Sequence, residues 1–216
     1  MIVKTFVILT LIYFLNYFFK NNNSFQSNTG SKHQKFANKS IPLTGGIFLT
    51  IPIIYFLFEA YPIIIFVYSL IFILGIFSDL NIIESPKKRF IFQLLILILF
   101  TIYTKSEVLP SRISSIDELF LNTFISFLFT SFCLMVLING SNFIDGLNGL
   151  FLGYFSIVLF IIYKLNFNDL IILEAEQQII LSVIILFVLV LNFFNQLFLG
   201  DNGAYSLGFL LGIFLI

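Results

Sequence analysis

Eight sustained apolar runs separated by short polar stretches set the pattern of this chain. They fall at about Ile2 to Phe19, Leu43 to Phe58, Pro62 to Phe77, Phe90 to Tyr103, Leu119 to Ile138, Leu150 to Tyr163, Ile179 to Phe194 and Ser206 to Ile216. None of them alternates in polarity as a spanning strand must; they are apolar on all sides, which is the signature of helices in lipid. A bilayer's hydrocarbon takes roughly 20 apolar residues per helix, with about 17 to 25 tolerated. The 216 residues therefore divide into seven or eight spans with short loops, and no length remains for a soluble domain. The expected architecture is all-α: a polytopic membrane helical bundle of about eight transmembrane helices, one integral membrane domain over 1–216.

Four polar, glycine-bearing segments interrupt the apolar runs: Lys39 to Gly46, Gly75 to Arg89, Asn139 to Leu150 and Phe198 to Gly208. Alternate crossing puts all four on one face of the membrane. That face also collects seven basic residues, Lys20, Lys32, Lys35, Lys39, Lys87, Lys88 and Arg89, against four on the other, Lys4, Lys105, Arg112 and Lys164. The bias predicts a cytoplasmic motif-bearing face and an amino terminus outside. The first run keeps its helix in this reading, because the stretch NYFFK at Asn16 to Lys20 offers no small-residue cleavage site. Pro52 in the second run reads as a kink absorbed by neighbouring helices.

Composition agrees: 59% of residues are hydrophobic and 10% charged, far from the quarter or so that is charged in a soluble domain. A net charge of +0 argues against a polyanion-binding surface and so against a nucleic-acid partner. The lone Cys133 reads as inert packing and the lone His33 as a solvated loop residue.

The polar segments carry the candidate chemistry. Asp79, Asp145 and Asp201 each sit at a predicted bilayer boundary, where a carboxylate is costly and needs a reason. Phe198 to Gly203 reads as a short polar turn whose glycines let a ligand approach the backbone and whose Asp201 is a hard oxygen ligand for a metal-bound phosphate; a plain helix-connecting turn is the alternative. In NGSNFIDGLNG from Asn139 to Gly149, a continuing helix would place Asn142, Asp145 and Gly149 on one face. Asp79, followed by Lys87, Lys88, Arg89 and then Gln93, could hold a metal and an anion between two helices, although membrane anchoring also accounts for the cations. The Gly45-Gly46 helix start would offer free amides to a phosphate, with Lys39 adding charge.

Taken in order, PLTGG at Pro42 to Gly46, SPKKRF at Ser85 to Phe90, NGSNFIDGLNGL at Asn139 to Leu150 and FLGDNGAYSLGF at Phe198 to Phe209 resemble the polyprenyl-phosphate N-acetylhexosamine-1-phosphate transferases. The resemblance spans about Lys32 to Leu211. It implies an Mg²⁺-dependent enzyme of the bacterial inner (plasma) membrane with a cytoplasmic active site. Such an enzyme moves an N-acetylhexosamine 1-phosphate from a UDP-sugar to undecaprenyl (polyprenyl) phosphate, releasing UMP and initiating O-antigen or other cell-envelope glycan synthesis. Carried over by motif, Asp201 is a metal ligand helped by Asp145, and Asp79 and Asp145 are the catalytic carboxylates, Asp79 orienting or deprotonating the lipid phosphate. Lys39, Asn139, Asn142, Asn148, Lys87 and Arg89 bind substrate. The implied partners are a UDP-N-acetylhexosamine, polyprenyl phosphate and the bilayer, with a homodimer open as the assembly.

The sequence departs from the family pattern at three places. Ser78 stands where the first of two paired aspartates is usual, and Asn148 where a second aspartate often follows the Asp-Gly-Leu motif. The family's further helices and histidine-bearing loop have no counterpart before Ile216, so an incomplete carboxyl-terminal part is expected. The rival readings are a multi-pass transporter, against which the absence of a visible repeat and the boundary position of the aspartates both count, and a noncatalytic membrane homologue.

Overall fold

In the computed structural model, residues 2–21, 41–108, 110, 112–164 and 175–215 are described. They form helices α1 (Ile2–Asn21), α2 (Gly45–Leu57), α3 (Pro62–Asp79), α4 (Pro86–Thr104), a short α5 (Ser114–Phe120), α6 (Thr123–Ile144), α7 (Leu150–Lys164), α8 (Ala175–Phe193) and α9 (Gly200–Leu215). The described residues are thus all-helical. Four of these helices, α1, α3, α6 and α8, are long and apolar enough to cross a membrane, and α2 and α7 are shorter apolar helices.

The helices extend past the apolar runs into the polar motifs. Pro86 begins α4 four residues ahead of the run at Phe90, because a proline at the first helical position has preset φ and gives up an amide with no partner there. Helix α6 starts behind Asn122, whose Oδ1 accepts from the amides of Phe124 and Ile125 at 3.1 and 3.4 Å. At its other end it carries Asn139 and Asn142 as helical residues and stops at Ile144. Helices α3 and α8 are each followed by an asparagine with positive φ, Asn81 (57°) and Asn195 (56°), a conformation that asparagine tolerates better than most residues. The short α5 lies mostly ahead of the apolar run that begins at Leu119, and Leu121 and Asn122 separate it from α6.

Helix α9 is the core of the bundle, with Gly200 and every residue from Asn202 to Gly212 buried. It packs on α2, α3 and α6. Small residues make this burial feasible, since without a strong hydrophobic force between helices in lipid, close backbone approach supplies the attraction. Phe209 meets Phe100 of α4 edge-to-face with ring centroids 5.4 Å apart. Hydroxyls inside the bundle pair with each other, Thr50 with Tyr68 at 3.0 Å and Thr101 with Ser131 at 2.9 Å, which offsets the cost of burying them. Outward, Phe6, Phe14, Phe66, Leu99, Phe132 and Phe160 are exposed, as a lipid-facing belt requires and as a water-facing surface would not tolerate.

Candidate functional site

The site begins with how the start of α9 is held. The chain leaves α8, turns through Asn195 and passes Gly200 at φ +80°, a value open to glycine and strained for other residues. Both carboxylate oxygens of Asp79, the last residue of α3, accept from the new helix. Asp201 N donates to Oδ1 at 2.9 Å, and Asn202 N and Nδ2 donate to Oδ2 at 3.0 and 2.5 Å. A carboxylate thus caps the positive end of a helix reached 122 residues later in sequence.

On the opposite flank the start of α2 closes against the same turn. Gly45 N donates to Phe198 O and Gly46 N to Leu199 O, both at 3.0 Å, and Phe198 N donates to Pro42 O at 2.8 Å. A Cβ on Gly46 would lie 1.9 Å from Asn202 Oδ1 and 2.4 Å from Gly203 N, and one on Gly75 would lie 2.4 Å from Asn202 Cα. Three helices therefore meet backbone to backbone around Asn202, which is fully buried. Helix α1 fastens the arrangement from outside: Thr44 Oγ1 donates to Asn16 Oδ1 at 2.9 Å, Asn16 Nδ2 to Gln196 O at 3.1 Å and Lys20 Nζ to Gln196 Oε1 at 2.8 Å.

One residue before Asn202, the environment changes. Oδ2 of Asp201 receives Ser78 Oγ at 2.5 Å, Arg89 Nη1 at 2.7 Å and Tyr205 Oη at 3.2 Å. Arg89 Nη1 also donates to Ser78 Oγ and reaches Tyr205 Oη at 3.4 Å. The ion pair is partly open, with side-chain exposures of 22% for Arg89 and 21% for Asp201. From α6, Asn142 Nδ2 donates to Tyr205 Oη at 3.2 Å. One turn further on, Asp145 follows the helix end and is buried at 4% exposure.

This cluster of a half-buried carboxylate, a guanidinium and two hydroxyls has donors for phosphate and hard oxygens for a cation. An open cavity of about 1040 Å³ lies at the α3–α4 junction, lined by Phe77 and Lys88, the chain neighbours of Ser78 and Arg89. Phe77, Ile82, Ile83, Ile91 and Phe92 form apolar walls, with Lys88 and Glu84 as charged lining residues of opposite sign.

Residues 61–216, well over half of the chain, match the family model of glycosyl transferase family 4. The chain belongs to glycosyl transferase family 4. A comparison with curated protein sequences gives no match. Membership in glycosyl transferase family 4 implies sugar-phosphate transfer to a polyprenyl phosphate, and together with the apolar helices it makes this a membrane protein.

Within this member of glycosyl transferase family 4, the structure brings Asp79, Arg89, Asn142 and Asp201 to one end of the bundle from α3, α4, α6 and α9. Asn139 lies a turn below Asn142, and its Nδ2 donates to Gln93 Oε1 at 3.1 Å and Met135 O at 3.0 Å. Asn148 is set in the following turn, donating to Asn195, while Gly149 N donates to Asn192 Oδ1 at 2.6 Å. Lys87 is exposed and Arg89 turned inward, so adjacent cations of one motif separate onto two faces of α4. Lys39 and His33 lie outside the described residues.

Three local expectations change. Helix α6 ends at Ile144 with Asp145 still in helical dihedrals, and Gly149 takes φ +77°, so Asn142 and Asp145 share a face and Gly149 does not; the glycine turn breaks the helix first. The polar turn is also placed earlier than expected, at 194–199, with Asp201 to Gly203 inside the first turn of α9. Third, the amides of Gly45 and Gly46 are engaged by Phe198 and Leu199 carbonyls and are not offered to an anion, and Gly203 faces Gly46 with no room for a ligand. Among the described residues no three of His, Cys, Asp and Glu gather as a metal-holding group. Sequence reasoning missed Ser78 as a partner of Asp201 and missed Tyr205 entirely. The spacing of Tyr205, four residues beyond Asp201 on one helix, was the available signal.

Proposed function

We propose that the chain transfers an N-acetylhexosamine 1-phosphate from a UDP-sugar to undecaprenyl phosphate, releasing UMP, at the cytoplasmic end of an eight-span bundle in the bacterial inner membrane, with the amino terminus outside. The supporting observation is the meeting of Ser78, Arg89 and Tyr205 at a single carboxylate oxygen of Asp201, at the end of an apolar helical bundle. A donor dissolved in water and an acceptor dissolved in lipid can react only at such an interface. The aspartates stand at helix ends, where surface chemistry needs them, whereas a transporter places ionisable groups mid-span. The excess of basic residues around the same end supports the assignment to the cytoplasm.

In this reading a phosphate oxygen of the lipid attacks the sugar-linked phosphorus of the donor. The new P–O bond completes a lipid-linked pyrophosphate, the bond to the bridging oxygen breaks, and UMP leaves with the electron pair. The lipid phosphate is already largely ionised at neutral pH, so the step needs alignment and charge neutralisation more than a strong base. Arg89 would hold donor phosphates through its fork of N–H groups, Lys39, Lys87 and Lys88 would add positive charge, and Asn142 would orient Tyr205 against Asp201. Asp79 is assigned to positioning, because its oxygens already accept three N–H groups and fix where Asp201 points.

The donor set also fits Mg²⁺: this ion commonly binds through one or two carboxylates with water and substrate phosphates completing the shell, and Asp201, with Asp145 a turn beyond Asn142, supplies oxygen ligands. When bound, the ion would offset the charge of the pyrophosphate. The test is UMP release by the chain in nanodiscs containing undecaprenyl phosphate, with a panel of UDP-N-acetylhexosamines and with and without chelator. Stoichiometric, chelator-sensitive formation of UMP and lipid-linked product is expected. Sugar uptake into vesicles with no UMP formed would overturn the proposal in favour of transport.

A further inference from the structure

Arg89 occupies the position from which a cation would address Asp201. All its side-chain hydrogen bonds to described residues run through one nitrogen, Nη1, to Asp201 Oδ2, Ser78 Oγ and Tyr205 Oη. The pairing is therefore one-pronged, not the two-pronged fork that arginine makes with a carboxylate when the geometry is free to optimise. Its Nε is buried and has no hydrogen-bond partner. A guanidinium with an unsatisfied buried donor has a reason to change partners once a phosphate is within reach. Asp201 Oδ2, in contrast, is crowded by three donors, and Ser78 beside it contributes no negative charge with which to bind both a guanidinium and a metal ion.

We infer that Arg89 is a built-in counter-cation for Asp201 that competes with a divalent ion, so that the metal loads together with the nucleotide and not before it. The inference rests on the metal role proposed for Asp201. Bringing a divalent ion to an oxygen already paired to a guanidinium sets like charges against each other in a partly desolvated site. A diphosphate supplies negative charge for Arg89 to take instead, and so frees Oδ2. Arg89 then acts twice, first masking the carboxylate and then holding the donor's phosphates.

The experiment is Mn²⁺ binding read by electron paramagnetic resonance on the full chain in nanodiscs, with and without UDP, with Asp201→Asn subtracted to remove Mn²⁺ carried by free UDP. The wild type is expected to bind Mn²⁺ at the Asp201-dependent site at least about tenfold more tightly with UDP than without, a coupling of about 1.4 kcal/mol. Arg89→Gln should bind Mn²⁺ without UDP more tightly than the wild type does, and UDP should add little. Arg89→Lys, which keeps the charge, should restore weak nucleotide-free binding, an outcome that a merely structural role for Arg89 would not produce. Equal Mn²⁺ affinity with and without UDP in the wild type, at a site lost in Asp201→Asn, would overturn the inference while leaving Asp201 a metal ligand. No Asp201-dependent binding in any state would overturn both.

Discussion

Asp201 and Asn202 are consecutive residues in the first turn of α9, and they lie in opposite surroundings. Asn202 is fully buried where α2, α3 and α9 press backbone against backbone, and glycines at positions 46 and 75 make room for it. Asp201 is partly open and gathers a cation and two hydroxyls. About 100° of helical rotation separates the two, and it divides one short motif into a face that builds the bundle and a face that can meet a substrate. Residues that read alike in a polar motif therefore need not share a task.

The division can be broken most severely from the packing face. Gly46→Val would thrust a side chain into Asn202 Oδ1 and Gly203 N, which lie 1.9 and 2.4 Å from the first added carbon. Overpacking costs about 1–3 kcal/mol or more where backbones cannot yield. The variant is expected to give no monodisperse protein on size-exclusion chromatography, and to lose activity for that reason alone. Asp201→Asn tests the other face: UMP release should fall by about 100-fold or more, on the scale of removing an electrostatic contact to a reacting centre. Its melting temperature should stay close to that of the wild type. Near-normal turnover in that folded variant would remove Asp201 from the metal role.

Asp79 joins the two faces, because it holds the amides of both Asp201 and Asn202. Asp79→Ala should lower both stability and UMP release, the stability by about 0.5–2 kcal/mol, as for loss of a helix cap. Asp79→Asn, which keeps an accepting oxygen, should recover part of each. A residue acting as a base would show no recovery of turnover with the amide, so the pair of variants separates positioning from proton transfer. Smallest of all, Lys87→Gln on the exposed side of α4 should change melting by no more than about 0.5 kcal/mol and lower UMP release only modestly, because it removes one exposed, salt-screened charge of several.

Much of this was legible in the sequence, for reasons that differ from one element to another. The apolar runs reveal the long helices because lipid imposes their length, and alternate crossing then sends the four glycine-bearing segments to one end, where the structure joins Asp79, Arg89, Asn142 and Asp201. The helix ends were less legible. Helix α9 starts six residues before its apolar run because Asp79, far away in sequence, satisfies its first amides, and no local signal contains that partner. The glycines of the Pro42 to Gly46 motif invite a phosphate-binding reading because free amides and tight backbones look alike in one dimension; only the carbonyls of Phe198 and Leu199 distinguish them. Tyr205 passed as one more aromatic in a helix rich in them, and its hydroxyl matters only because Asn142 and Asp201 approach from separate segments.

The central claim is that the ends of α3 and α9 meet, placing Asp201 against Ser78 in the membrane-embedded protein. It is tested most directly by an oxidative cross-link between cysteines at these two positions, Ser78→Cys and Asp201→Cys, in a Cys133→Ser background. The two side chains touch, with polar atoms 2.5 Å apart, which puts thiols at these positions within reach of each other. The cross-link should form in native membranes on mild oxidation. Full retention of both free thiols under conditions that oxidise exposed cysteine pairs would contradict the account.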